Sequence, residues 1–257
     1  MPIDGSGRRT ALDGVSRRRM YLFRHGAVDY IDRDGNIVPN TDKVDLNETG
    51  RAQALAMRQL FSSVQIDKAL CSGLPRTRQT GETVLSPREI TLEVDTGFVE
   101  IRQLQGEPPG PYDVVEDIAF SHFRATDEEA RFLGGERYSD FYARIREASE
   151  KLLADDSWHN VAIFAHGGTN AAVLGWVTGL GCSAFGVLDQ ATCCLNVIDF
   201  DIDESGQVLR KTLRAMNVTA DDPAKGNRHA GDMETLARWI LRQSDVKFTI
   251  SWSLPAF

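Results

Sequence analysis

"VAIFA", residues 161 to 165, is a run of apolar side chains with no polar alternation. A strand with one wet face alternates, so an unbroken run is read as a strand covered on both faces, as in parallel α/β sheets. It closes abruptly in His166, Gly167 and Gly168. A second short run, "MYLF" at 20 to 23, closes the same way in Arg24, His25 and Gly26. A third, within "IDKALC" at 66 to 71, runs into Ser72.

Helical patterns alternate with these strands. "TGRAQALAMRQLF" places Ala52, Leu55, Ala56 and Leu60 on one stripe, and "GLPRTRQTGETVL" follows the third strand. "GGERYSDFYARIREASEKLL" spaces Phe141, Ile145, Ala148 and Leu152 helically, and "GTNAAVLGWVTGL" lies behind "VAIFA". Near the end, "CCLNVIDFDI" and "QVLRKTLRAMNV" read as two strands joined by a turn at "DESGQ". The succession predicts an α/β fold of three layers, a doubly wound and mostly parallel sheet with helices on both faces. Residues 18–257 are expected to form a single domain with a cap-like insertion around 101–135, and residues 1–17, rich in Gly, Arg and Ser, a disordered N-terminal arm.

The 257 residues are 42% hydrophobic and 26% charged, which argues against a disordered chain. A net charge of -8 argues against nucleic acid and anionic membrane as partners, and no apolar run reaches spanning length. Cys71, Cys182, Cys193 and Cys194 have no metal-ligand spacing, so reduced thiols in a cytoplasmic setting are expected. His122, His159 and His229 belong to no motif and read as surface residues, and Cys193 and Cys194 as strand residues.

In open α/β sheets ligands bind beyond the carboxyl ends of the strands, where the strand order reverses. Two strands ending in His25 and His166 would bring two imidazoles there. The glycines after them allow close backbone approach, and a helix starting at Gly168 would aim its positive end into the same space. Such a pocket suits an anion. Arg24, and Arg76 in the turn after Ser72, could clamp phosphate oxygens bidentately. Glu100, in "FVEIRQ", is electrostatically odd beside such a clamp unless it carries a proton to donate.

These segments resemble the histidine phosphatase superfamily, the phosphoglycerate mutase-like family, from about Met20 to Val218. Its R-H-G stands here as Arg24, His25 and Gly26. Its L-T-x-x-G-x-x-Q-A helix start appears as "LNETGRAQA", with Asn47 in place of threonine, and its S-x-L-x-R-x-x-Q-T segment as Ser72, Leu74, Arg76, Gln79 and Thr80. "FVEI", "GGERYSDFYARI" and "AHGG" match the acidic proton donor, the G-E-S-x-x-D-x-x-x-R element and the second histidine.

The resemblance implies phosphoryl transfer without metal or other cofactor. His25 would be the nucleophile and Glu100 the proton donor, with Glu107 an alternative to it. Arg24, Arg76 and His166 would stabilise the transferring group, and Gly167 and Asn47 would help bind phosphate. The expected partner is a small-molecule phosphate ester, with a homodimer left open. Mutases carry polar residues after R-H-G where Val28, Asp29 and Ile31 stand, which favours hydrolysis over mutase-type transfer, while the presence of Arg24, His25, Arg76 and His166 argues against a non-catalytic binding role. Tyr112, Phe120, Phe123 and Phe132, with Arg102, Arg124 and Arg131, either suit an apolar or aromatic ester or are packing residues of the insertion.

Overall fold

A computed structural model describes residues 14–31, 38, 40–104, 114–227 and 229–243. Six strands form one mixed sheet: β1 (Val15–Arg24), β2 (Lys68–Cys71), β3 (Leu92–Val94), β4 (Asn160–Ala165), β5 (Leu195–Asp203) and β6 (Val208–Val218). Their order is β3-β2-β4-β1-β5-β6, with the first four parallel, β5 antiparallel to β1 and β6 antiparallel to β5. The helices are α1 (Glu48–Phe61), α2 (Pro75–Leu85), α3 (Val114–Phe120), α4 (Tyr138–Ala154), α5 (Gly167–Thr178), α6 (Ala184–Val187) and α7 (Asp232–Gln243). None of the described helices is long and apolar enough to cross a membrane.

Strand alternation divides the core into two. Tyr21, Phe23, Ala69, Cys71, Ala162 and Phe164 face Ala54, Met57 and Phe61 of α1 and Val84 of α2. Met20, Leu22, Leu70, Val161, Ile163 and Ala165 face Phe141 and Ile145 of α4 and Val173 and Leu174 of α5. "VAIFA" is fully buried on both sides, as its unbroken hydrophobicity requires. Val161, Ile163 and Phe164, taken from water, each contribute about 1.5–3 kcal/mol.

In α1 the buried face is Gly50, Ala54, Met57 and Phe61, while Leu55 and Leu60, expected inside, are 44% and 52% exposed. Phe61 sets the rotation, standing edge-on to Tyr21 and to Phe23 with centroids 5.0 Å away in each case. Residues 15–17, expected in the N-terminal arm, instead open β1, which begins at Val15. Its arginines have partners on β5: Arg17 reaches both oxygens of Asp201 at 2.8 and 3.1 Å, and Arg19 both oxygens of Asp199 at 2.6 and 3.0 Å. Residues 1–13 lie outside the described ones.

Candidate active site

Strand register builds the centre of the site. Arg24 pairs with Ala165 across the parallel β1 and β4, so the next residues, His25 and His166, emerge side by side. From here β1 leads through α1 to β2 on one flank of the pair, and β4 through α5 to β5 on the other. This is the switch point at which α/β sheets bind ligands. The His25 amide donates to the Ala165 carbonyl at 3.0 Å, and the two imidazole centroids are 5.3 Å apart.

The turn after His25 is held by close backbone approach. A Cβ on Gly26 would lie 2.6 Å from the Gly50 carbonyl oxygen, and one on Gly50 would lie 2.1 Å from that of Ala27. Only two glycines fit there. The Gly26 amide donates to Thr80 Oγ1 at 3.0 Å, the Ala27 amide to Gln53 Oε1 at 3.0 Å, and the Leu46 amide to Gln79 Oε1 at 2.8 Å. Motif residues Gln53, Gln79 and Thr80 therefore hold the backbone that carries His25.

His25 is buried, and its Nδ1 lies 2.8 Å from the Gly26 carbonyl oxygen. A carbonyl can only accept, so Nδ1 carries the hydrogen and the Nε2 of a neutral ring keeps its lone pair. Burial, then the charges of Arg76 and Arg24, push the His25 imidazole well below its ordinary range and keep it neutral. His166 is held low by burial, with Arg76, His25 and Arg24 adding to it. Its Nε2 lies 2.8 Å from Ser72 Oγ.

Both arginines reach this centre from elements that fix them. Arg24 Nη1 donates to the Gln190 carbonyl and lies 2.6 Å from Asp232 Oδ2. Arg76, buried in the first turn of α2, donates from Nη1 to the Thr41 carbonyl at 2.8 Å. Arg24 Nε, Arg76 Nε and His166 Nδ1 are buried and have no hydrogen-bond partner among the described residues. Gly167 lies against Arg24, where a Cβ would sit 3.4 Å from Nε.

Glu100 caps α5. Its Oε2 accepts from the Gly168 amide at 3.0 Å and its Oε1 from the Thr169 amide at 3.1 Å, which places a carboxylate at the positive end of the helix beside His166. Gly168 is needed for this, since a Cβ there would lie 2.5 Å from Oε1. Arg144 fixes the segment, donating to the Val99 carbonyl at 2.9 Å and the Glu100 carbonyl at 3.0 Å while its fork meets Glu136 at 2.7 and 2.9 Å. Glu107 and Tyr112 lie outside the described residues.

Three expectations change. Asn47 is a helix cap: its Oδ1 accepts from the Gly50 amide at 2.8 Å and its Nδ2 donates to Asp29 Oδ1 at 2.7 Å, so both amide atoms are spent away from the histidines. Cys193 is in a turn before β5, with φ of 55°, and its amide donates to the His25 carbonyl at 2.9 Å. His122 belongs to an aromatic cluster, stacked on Phe132 with centroids 5.6 Å apart and its Nδ1 2.7 Å from Tyr138 Oη. Burial, with a smaller push from Arg24, lowers it to about 4. Of the insertion's other candidates, Phe123 is 38% exposed, Arg131 donates to the Gly135 carbonyl at 2.8 Å, and Arg124 lies 3.4 Å from Asp117. Arg144, Gln190 and Asp232 were not singled out by sequence. For Arg144 the terminal Arg of "GGERYSDFYARI" was the available signal.

Among the described residues, no three His, Cys, Asp or Glu side chains are grouped to hold a metal ion. Two parallel strands ending in histidines, with two arginines and a carboxylate around them, form a site suited to an anion. The profile of the histidine phosphatase superfamily (branch 1) matches residues 20–212, and the chain belongs to that family. It is 27% identical over 220 residues to a probable 2-carboxy-D-arabinitol-1-phosphatase of Arabidopsis thaliana, covering 83% of this chain and 44% of the relative. It is 23% identical over 185 residues to the adenosylcobalamin/alpha-ribazole phosphatase of Escherichia coli, covering 71% of this chain and 90% of that one. The chain thus spans less than half the length of the plant protein. The solved structure of a mycobacterial glucosyl-3-phosphoglycerate phosphatase shares the fold, with a TM-score of 0.63, 22% identity, and coverage of 78% of this chain and 99% of that one.

Proposed function

We propose that the protein is a metal-independent phosphatase that hydrolyses a small-molecule phosphomonoester through a phosphohistidine at His25. The observation that carries this reading is a pair of buried donors without protein acceptors, Arg24 Nε and Arg76 Nε, with the unpartnered His166 Nδ1, beside a neutral imidazole. Buried polar groups are rarely left unpaired, and a phosphoryl group supplies oxygens in the number such a set needs.

The chemistry follows from the tautomer. His25 Nε2 attacks phosphorus as the ester P–O bond breaks, and Glu100, protonated for this step, gives its proton to the leaving oxygen. Glu100 then takes a proton from water, whose oxygen attacks phosphorus as the P–N bond breaks, releasing phosphate and neutral His25. Arg24, Arg76 and His166 stabilise charge on the equatorial oxygens, and losing one such donor costs about a hundredfold to a thousandfold.

Rapid quenching with a ³²P-labelled ester tests the reading. It should trap an acid-labile, base-stable phosphoenzyme that His25→Ala abolishes. Undiminished turnover by that variant would overturn the mechanism.

A further inference from the structure

Helix α7 lies beyond the residues matched by the family profile, and its first residue meets the arginine of R-H-G. Arg24 Nη1 donates to the Gln190 carbonyl and is ion-paired with Asp232 Oδ2 at 2.6 Å. Nε, the buried donor without a partner, instead runs along Gly167. A guanidinium is a rigid plane, so fixing Nη1 also fixes where Nε points.

We propose that Asp232 is a positioning residue for phosphoryl transfer: with the Gln190 carbonyl it anchors Arg24 Nη1, so that the Nε edge faces the phosphoryl group at His25. The inference rests on the phosphatase reading above.

Both anchors are themselves held. The start of α7 is closed by the Gly231 amide donating to Glu234 Oε2 at 2.8 Å and by Thr235 Oγ1 donating to the Gly231 carbonyl at 3.0 Å. The helix packs against α3, with Ala237 buried. On the other side, Gln190 Oε1 accepts from Asn196 Nδ2 at 2.7 Å, and the Ala191 amide donates to Asn217 Oδ1 at 2.8 Å. A neutral carbonyl alone would leave the buried guanidinium without a counter-charge, and Asp232 supplies one. Its own charge also opposes an incoming phosphate. However, the Asp232 side chain is 36% exposed against 13% for Arg24, so water reaches part of the carboxylate although its Oδ2, facing Arg24, is buried.

The test uses the full chain, p-nitrophenyl phosphate as substrate and inorganic phosphate as competitive inhibitor. Asp232→Ala should lower kcat/KM and raise the phosphate inhibition constant, each roughly ten- to a hundredfold, the scale of a misplaced group. Asp232→Asn, nearly isosteric but uncharged, keeps the packing of α7 without the ion pair and should lose nearly as much. In an Arg24→Lys background, which has no fork to orient, Asp232→Ala should change phosphate inhibition no further, whereas a merely structural role for α7 gives additive losses. Additive losses, unchanged constants, or tighter phosphate binding by Asp232→Ala would each overturn the proposal, the last by showing that Asp232 competes with phosphate. The phosphatase reading is checked separately by phosphoenzyme trapping in the wild-type chain, so it can stand while this inference falls.

Discussion

His166 Nε2 lies 2.8 Å from Ser72 Oγ, and the hydrogens in the chain beyond that contact can be counted. Ser72 Oγ is 3.0 Å from Thr77 Oγ1, which donates to the Leu74 carbonyl at 2.8 Å. Thr77 spends its only hydrogen on Leu74, so Ser72 donates to Thr77 and His166 donates from Nε2 to Ser72. In the neutral ring Nδ1 is then a bare acceptor, and it becomes a donor to phosphate only by gaining a proton. Binding of inorganic phosphate above pH 7 should therefore take up about one proton, brought by the anion or drawn from buffer, and affinity should fall as pH rises. Calorimetry in buffers of different ionisation enthalpy measures it; no uptake would refute the tautomer. Ser72→Ala leaves Nε2 without its acceptor and should lower kcat/KM about tenfold.

The buried His25 and His166 and the half-buried His122 also set the pH dependence of folding. His25, His166 and His122 are all held below their ordinary value, so the unfolded chain binds protons that the folded chain refuses. Stability should be full above about pH 6.5 and fall as pH drops through that value, by up to ~1.4 kcal/mol per pH unit for each histidine. Asp199 and Asp201 work at lower pH. Hydrogen bonds from Arg19 and Arg17 offset partial burial and hold them below the usual carboxylate range, so their contribution is lost only below about pH 4. Melting curves between pH 5 and 8 should show the histidine slope, and His25→Asn with His166→Asn should flatten it. An unchanged slope would remove these two residues from the account.

Gly50→Ala tests the close approach behind His25. A Cβ 2.1 Å from the Ala27 carbonyl oxygen meets backbone on backbone, and the turn must shift before the fold can close. A loss of 2 kcal/mol or more is expected, roughly 4 °C or more in Tm for a chain of this size, with activity falling as well. A variant as stable as the parent would show that the turn has more room than its geometry gives.

The frame of the site was legible because strand ends are local. "MYLF" and "VAIFA" carry their burial in unbroken hydrophobicity, and histidine-glycine endings recur at both. The stripe on α1 was misjudged because Leu55 and Leu60 are apolar yet exposed, while small Gly50 and Ala54 are buried; packing against Phe61 decides the rotation, not hydrophobicity. Ser16 and Arg17 were read as part of an arm because the counter-ion of Arg17, Asp201, lies 184 positions further along the chain. Asp232 left no trace for the same reason. Its contact with Arg24 joins the two ends of the domain.

Glu100 yields the last prediction. Its carboxyl is aimed by the Gly168 and Thr169 amides and its backbone by Arg144, so proton donation and placement can be separated by mutation. Glu100→Gln keeps the shape but has no proton to transfer. An alkyl phosphate has a poor leaving group and needs that proton, so single-turnover phosphorylation of the enzyme should slow by about 10²–10⁴. p-Nitrophenyl phosphate releases an acidic phenol and should lose far less. Arg144→Ala, which frees the carbonyls of Val99 and Glu100 and strands Glu136, should show the same leaving-group selectivity at smaller amplitude. Equal losses on both substrates in Glu100→Gln would take proton donation away from Glu100. A fully active variant alongside an inactive Glu107→Gln would assign it to Glu107.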